Sequence, residues 1–513
     1  MQHHVTLINP AINSESQNPV INSVINKMIP SSLGYIAGYV REAGLSDVRI
    51  YDEQFGKLSD GEMEEIIGEL AEPRIVGLSV WTLSSRRSYD ICRRIKAIDP
   101  KVTVILGGIH PTVMPEEGLE QEGVDVVVRS EGEVTFSELT RLILAGESYK
   151  DVLGISINGD DGIVHNPPRP LVRDLDDFPP FPYEMFADKV KDYSSFGVVY
   201  ASRGCPFKCI FCSQRSITGA SYRKYSIERV VSEITRLVDD YNQTEVHISD
   251  EILAASKKRF FALADGIIEA GLHKKARFHG SLRGDQATDE ILGKMKEANF
   301  SMLAYGLETG TERLMKVIDK DETVQEVVDA IHRTAKHGMD VAATIIFGLP
   351  TESRDDRRET LKLVKNLPLV SLRFNTMTPY PGTPAYEQLN PQGKVLIKDN
   401  WENFGVQYLW EGDDIPYVPD ESNRYELIFD TMSANLSSYV SWSGIKRLLT
   451  ASHAGGNVVK LSDRWYFSPF QVWRMFRLAF FLTRRYLYIF LRMNFDRFFR
   501  PAATVPFASS RDL

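Results

Sequence analysis

Four cysteines in 513 residues are too few for the disulfide framework of a secreted chain, and three of them fall between positions 205 and 212. No secretory leader is expected either, because MQHHVTLINP shows no charged start followed by a long apolar stretch. No uninterrupted apolar run reaches the roughly 18 residues that suggest a transmembrane helix. Positive charge is in deficit, at a net −9, which argues against a general nucleic-acid binder. Low complexity is excluded by only 35 Gly and 25 Pro, and no period of roughly 20 to 50 residues marks a solenoid. What remains, at 43% hydrophobic and 25% charged residues, is a multidomain folded chain expected in the cytoplasm.

The β-branched runs VTLINP, DVRIYD, IVGLSV, VTVILGG and VDVVVRS alternate with amphipathic stretches over residues 1–150 and predict a five-stranded parallel sheet, doubly wound and flavodoxin-like. Residues 151–195 read as a linker: INGDDGIV has a hairpin-like turn, and DLDDFPPFPYEMF breaks the α/β rhythm. From VVYAS through EVHISD, ARFHGS, MLAYGLE, DVAATIIFG and SLRFNTMTP, six β/α units over residues 196–390 predict an incomplete (β/α) barrel. Residues 391–513, with Trp401, Tyr408 and Trp410, form a mainly helical accessory region.

Directly after the first barrel strand, where such barrels carry their chemistry, stands Arg203-Gly-Cys-Pro-Phe-Lys-Cys-Ile-Phe-Cys-Ser213. Three thiolates from Cys205, Cys209 and Cys212 can bind three irons of a cubane and leave the fourth open. The alternative is a zinc site completed by histidine, but the nearest in sequence are His165 and His247. Cys92, in SYDICRRIKAI, reads as a buried apolar residue.

CPFKCIFC, with Phe211 before the last cysteine, resembles the signature of radical S-adenosylmethionine enzymes. The resemblance implies a [4Fe-4S] cluster whose open iron is chelated by the methionyl group of S-adenosylmethionine, reductive cleavage to a 5′-deoxyadenosyl radical, and hydrogen abstraction from a substrate. It also implies an electron donor such as flavodoxin or ferredoxin. HISDEI puts Asp250 and Glu251 after the second barrel strand, SLRGD puts Arg283 after the third, and YGLETG puts Glu308 after the fourth. All four are candidates to meet the cofactor's ammonium, carboxylate and other polar groups. IIFGLP and TPYPGTP resemble later strand-end motifs. Each motif also has a structural reading, as a helix cap, an ion pair or a turn.

An α/β domain ahead of this barrel resembles the cobalamin-binding radical enzymes, a group with methylases and ring-forming members. On that resemblance Ser79 and Thr82 of GLSVWT, with Gly107 and Gly108 of ILGGIHPT, would line a corrinoid crevice, the glycines admitting a bulky ring. Where many cobalamin domains place a cobalt-ligating histidine in DxHxxG, this chain reads DEQFGK, with Gln54 at the matching position. His110 is expected to hydrogen-bond and is not assigned to metal. RSEGE, residues 129–133, reads as an acidic loop or as a helix start.

From 471 to 499 arginines interleave with aromatics, with Asp496 the single acid. The readings are a helix on an anionic membrane surface, a helix packed on the barrel, or phosphate and base contacts. The first is preferred. It places the protein at the inner face of a membrane and makes a lipid or other hydrophobic substrate attractive, beside an ordinary small molecule. The leading expectation is a cobalamin-dependent C-methyltransferase acting on an unactivated carbon, with no side-chain acid or base in the core step. The rivals are a radical cyclase or oxidoreductase without methyl transfer, and a non-catalytic corrinoid- or cluster-binding sensor.

Overall fold

The computed structural model describes residues 1–12, 27–397, 401–405, 413–440, 480 and 483–495. Tyr408, Trp410 and most of the Arg/aromatic stretch lie outside them. The first sheet has strands β1 (His3–Asn9), β2 (Asp47–Asp52), β3 (Ile75–Ser79), β4 (Thr103–Gly107), β5 (Val126–Val128), β6 (Ile155–Gly159) and β7 (Gly162–His165). Their order is β2-β1-β3-β4-β5-β6-β7. Strands β1 to β5 are parallel in the flavodoxin-like order, and β3 is buried along its whole length because helices cover both faces. The hairpin expected in the linker instead extends this sheet: β6 pairs antiparallel with β5, and β7 with β6. A hairpin needs only a partner edge, which β5 offers. The sheet therefore has seven strands rather than five.

The second sheet runs β15-β14-β13-β12-β11-β8, every neighbour parallel. It comprises β8 (Val198–Val199), β11 (Glu245–Ile248), β12 (Arg277–Leu282), β13 (Phe300–Glu308), β14 (Asp340–Phe347) and β15 (Ser371–Thr376), while β9 (Ser202–Arg203) and β10 (Arg223–Lys224) form a separate antiparallel pair beside the cysteine loop. After each barrel strand a Ser or Thr starts the next major helix: the side chains of Ser226, Ser256, Thr288, Thr323, Ser353 and Thr383 each accept the backbone N–H three residues on. These caps set where each strand-end loop stops.

Burial alternates along the barrel strands. In β13, Leu303, Tyr305 and Leu307 are buried toward the helices, where the Tyr305 hydroxyl meets that of Thr334 at 2.7 Å, while Met302, Ala304 and Gly306 on the other face are half-buried. Strands β14 and β15 repeat the pattern with Ala342, Thr344, Ser371, Arg373 and Asn375. The inner face thus borders open space instead of the packed side-chain layers of a closed barrel. The helix Arg424–Val440 lies along the free edge of β15, where the Asn435 side chain accepts from the Phe374 N–H at 3.1 Å and donates to its carbonyl at 2.8 Å.

Candidate active site

The cysteine loop is held by its surroundings. Ile210 donates its N–H to the Ile318 carbonyl at 3.0 Å and accepts from Ala385 N–H at 3.0 Å, and the Arg283 guanidinium lies 3.6 Å over the Phe207 ring. Cys205, Cys209 and Cys212 are all half-buried and free of disulfides. Burial pushes all three thiols up, Cys209 to about 12, while Lys320 pulls Cys209 and Arg283 pulls Cys205 back down. Cys209 feels Cys212, and Cys212 feels Cys205, so the three thiols lie within electrostatic reach of one another. Among the described residues no three His, Cys, Asp or Glu groups close around a single ion. A cubane asks for something else, three thiolates spread over three irons. The donor set fits a cluster.

Asp250 and Glu308 are engaged within the protein. The Asp250 carboxylate accepts from Ala201 N–H at 2.7 Å, Ser202 N–H at 3.0 Å and the Ser202 hydroxyl at 2.6 Å, which pins the chain entering the cysteine loop; burial still raises its pKa to about 7. Glu308, at φ +60°, sits buried 3.3 Å from Lys320 Nζ; burial raises its carboxyl and Lys320 opposes the shift. Arg283 donates to the Lys320 carbonyl at 2.8 Å and to that of Asp321. Glu251 alone of the four is exposed, beside the loop, with Gly204 N–H and its own N–H lowering a carboxyl that enclosure by protein raises.

In the first domain, Ser79 is buried with its hydroxyl 3.2 Å from that of Ser32, and Thr82 is buried at the start of a short 3-10 turn. The two glycines differ. A Cβ on Gly107 would meet nothing nearer than 3.8 Å, so its open side can admit a ligand. Gly108, at φ +103°, would drive a Cβ to 2.7 Å from the Val80 carbonyl, so its bare backbone is accounted for by packing against Val80, the residue after β3. Trp81, at the mouth of the same crevice, is 57% exposed, a flat apolar face that the sequence reading passed over. Gln54 spends its amide on Asp52, at 2.9 Å, and on the Met28 carbonyl, at 2.8 Å. His110 is fully buried, 3.3 Å from Glu117, which also accepts from the Trp401 indole N–H at 2.9 Å and so ties the accessory region to the crevice. Cys92 is fully buried, and burial raises its thiol.

The two sheets meet at their strand ends. Glu131 and Glu133, whose sequence context read equally as a helix start, reach across the interface. Arg203, two residues before Cys205, lies 2.7 Å from Glu133 and 3.6 Å from Glu131, sandwiched at 4.6 Å over both Tyr35 and Phe178. Burial works against the Arg203 charge, but Glu133 foremost keeps it well above the ordinary range. Arg223 pairs with Glu131 at 2.5 Å, and the Ser130 hydroxyl donates to the Ile217 carbonyl. Gly382 of the PGTP turn packs so closely that a Cβ would lie 2.4 Å from Val113. The crevice of one domain therefore opens against the cysteine loop of the other. Arg203 was readable only as part of RGC; nothing in the sequence announced its partners.

A three-cysteine loop at the mouth of an open six-stranded parallel barrel, faced by the crevice of a flavodoxin-like sheet, is the arrangement of an iron–sulfur enzyme coupled to a second cofactor domain. Residues 199–364 match the radical SAM superfamily model, and residues 18–140 match the B12 binding domain. The chain is 32% identical over 394 residues, 75% of its length and 84% of the relative's, to an uncharacterized methyltransferase of Pyrococcus horikoshii. It is 28% identical over 377 residues to the anaerobic magnesium-protoporphyrin IX monomethyl ester cyclase of Cereibacter sphaeroides, covering 72% of this chain and 61% of that relative. In fold it is similar to the radical S-adenosylmethionine methyltransferase TsrM of Kitasatospora setae, solved with cobalamin and a [4Fe-4S] cluster, at TM-score 0.66 and 16% identity over 85% of this chain and 91% of that one. The chain belongs to the cobalamin-binding radical S-adenosylmethionine family, and it is an enzyme of that family.

Proposed function

We propose that the chain is a cobalamin-dependent radical methyltransferase acting on carbon, with Cys205, Cys209 and Cys212 as the cluster ligands. The observation that carries this reading is the apposition of the two strand-end faces through Arg203, Glu131 and Glu133, beside a barrel with open space inside. When bound, the cluster supplies the electron for cleaving S-adenosylmethionine, and the corrinoid supplies a methyl carrier. The chain's own residues orient and enclose. Asp250 fixes the entry to the cysteine loop, Arg283 holds Phe207 and the segment at 320, and Glu251 faces the loop with a carboxylate open to a cationic group. Trp81, Ser79, Thr82 and Gly107 border the corrinoid crevice.

Anaerobic reconstitution of the full chain tests the reading. We expect about four irons per chain, a bound corrinoid spectrum and reductant-dependent release of 5′-deoxyadenosine, with iron content falling to near zero in Cys209→Ala. Retained iron in that variant, or no cofactor cleavage in the loaded protein, would remove it. Cyclisation is the second reading, favoured by the similarity to the Cereibacter cyclase, and a protein that cleaves the cofactor but transfers no label from methyl-labelled S-adenosylmethionine would select it.

The same proposal extends to peripheral membrane contact. No described helix is long and apolar enough to cross a membrane. In the helical residues 483–495, Tyr486 packs 5.0 Å from Phe429 and Ile489 is buried, while Leu487, Leu491 and Phe495, spaced by four, are exposed. Such a stripe suits an anionic bilayer surface. The full chain should sediment with vesicles of one-third anionic lipid at low salt, and Leu487→Ser with Leu491→Ser should weaken this at least about fivefold; equal sedimentation of both proteins would contradict it.

A further inference from the structure

The inner face of β15 carries two polar side chains that the protein leaves unanswered. Leu372 and Phe374 join the core beneath the helices, so Arg373 and Asn375 fall on the opposite face, bordering the barrel interior. Arg373 is half-buried, and among the described residues it makes no hydrogen bond, ion pair or ring contact. Asn375 has a buried side-chain oxygen with no partner. The other arginine at an inner-face position within these strands is satisfied: Arg277 pairs with Glu245.

The acids of the same face are committed or remote. Glu245 is taken by Arg277 and by His279, whose Nε2 lies 2.6 Å away, and Glu308 is taken by Lys320. Asp340 has a contact of its own. The β14 residue paired with Arg373 is Thr344, so Asp340 lies four residues, about 13 Å, toward the strand starts. Across the sheet from Arg373 the register brings Thr344 and Gly306 into one row, with Ala342 and Ala304 in the row below. The space over Gly306 is held by Glu308 and Lys320, so the room for a ligand against the guanidinium lies over Thr344 and the small Ala342 and Ala304 of the row below. This row lies two residues below Glu308, whose partner Lys320 also acts on Cys209 of the cysteine loop.

A half-buried guanidinium without a counter-charge is costly, and its planar fork matches a carboxylate or phosphate with two parallel N–H bonds. We propose that Arg373, assisted by Asn375, is a specificity-determining residue that anchors an anionic group, carboxylate or phosphate, of the substrate inside the barrel. The proposal rests on the radical methyltransferase reading and deepens it. A wholly hydrocarbon substrate does not suit this face; a lipid qualifies only through an anionic headgroup.

The test uses the full chain, reconstituted with cluster and corrinoid and saturated with S-adenosylmethionine. It is titrated calorimetrically with inorganic phosphate, succinate and dihexanoylphosphatidate, against Arg373→Met, Arg373→Lys and, as a distant control, Arg358→Met. At least one anion should bind the parent protein. Its affinity should fall about tenfold or more in Arg373→Met, fall less in Arg373→Lys, and stay the same in Arg358→Met. Phosphate or succinate binding alone assigns a soluble anion, and tighter binding of the phosphatidate assigns a headgroup; either supports the proposal. It is overturned if no anion binds, if Arg373→Met binds as well as the parent, or if Arg373→Met raises KM for S-adenosylmethionine by the same factor, which would give the arginine to the cofactor's carboxylate. Release of 5′-deoxyadenosine by the parent protein is scored separately, so failure of the radical reading is distinguishable.

Discussion

Glu352, just beyond the end of β14, is a carboxyl with no exposure: one oxygen accepts from Gly348 N–H, the other has no partner, and Arg357 stands 3.6 Å away. Burial lifts its pKa from the usual carboxylate range to about 8, against the opposing pull of Gly348 and Arg357. The folded state therefore holds a proton that the unfolded chain gives up near pH 4.5, so its contribution is complete in acid and lost as pH climbs toward 8. Glu352→Gln should raise the melting temperature by a few degrees at pH 8 and by little at pH 5, read by calorimetry; a gain independent of pH would show the carboxyl to be ionised throughout. At this scale sequence legibility was uneven. Three cysteines at that spacing carry their chemistry in the residue type, whereas Asp250 and Glu308 differ from free cofactor ligands only in neighbours distant along the chain, Ser202 and Lys320. Gly108 was legible as a glycine that mattered, though the reason is Val80.

Among elements, the six barrel strands and the five parallel strands of the first sheet were legible because apolar runs at β/α spacing have few alternative uses. The β6–β7 hairpin was visible as a turn but not as a member of the first sheet, since its partner edge is a property of β5. Arg373 and Asn375 were missed because SLRFNT reads equally as a half-exposed strand, and only closure into a barrel turns the polar face inward. The outer edge of β15 depends on one side chain. Asn435→Ala leaves both the N–H and the carbonyl of Phe374 without their partner, and should cost about 1–3 kcal/mol in urea unfolding, with faster amide exchange at Phe374. An unchanged exchange rate would mean that water serves the edge equally well.

At the scale of the whole molecule, two arginines, Arg203 and Arg223, couple the two cofactor domains. Arg203→Met removes the partner of Glu133 and lets Glu131 relax toward Arg223 alone, and should cost about 3–5 kcal/mol, with proteolytic cutting appearing between the domains before either unfolds. The second change Glu133→Gln should add little to it, and full additivity in that cycle would deny the coupling. None of this interface was legible in the sequence, because ion pairs 70 and 92 residues apart leave no periodic trace. The cysteine loop shows what such long-range fixing achieves. Ile318 and Ala385 hold its backbone at Ile210, and Arg283 holds its Phe207 ring, through contacts that involve no metal. Folding and loading are then expected to be separable: a chain made when iron is scarce should stay folded without its cluster, its maturation a matter of delivery rather than of refolding.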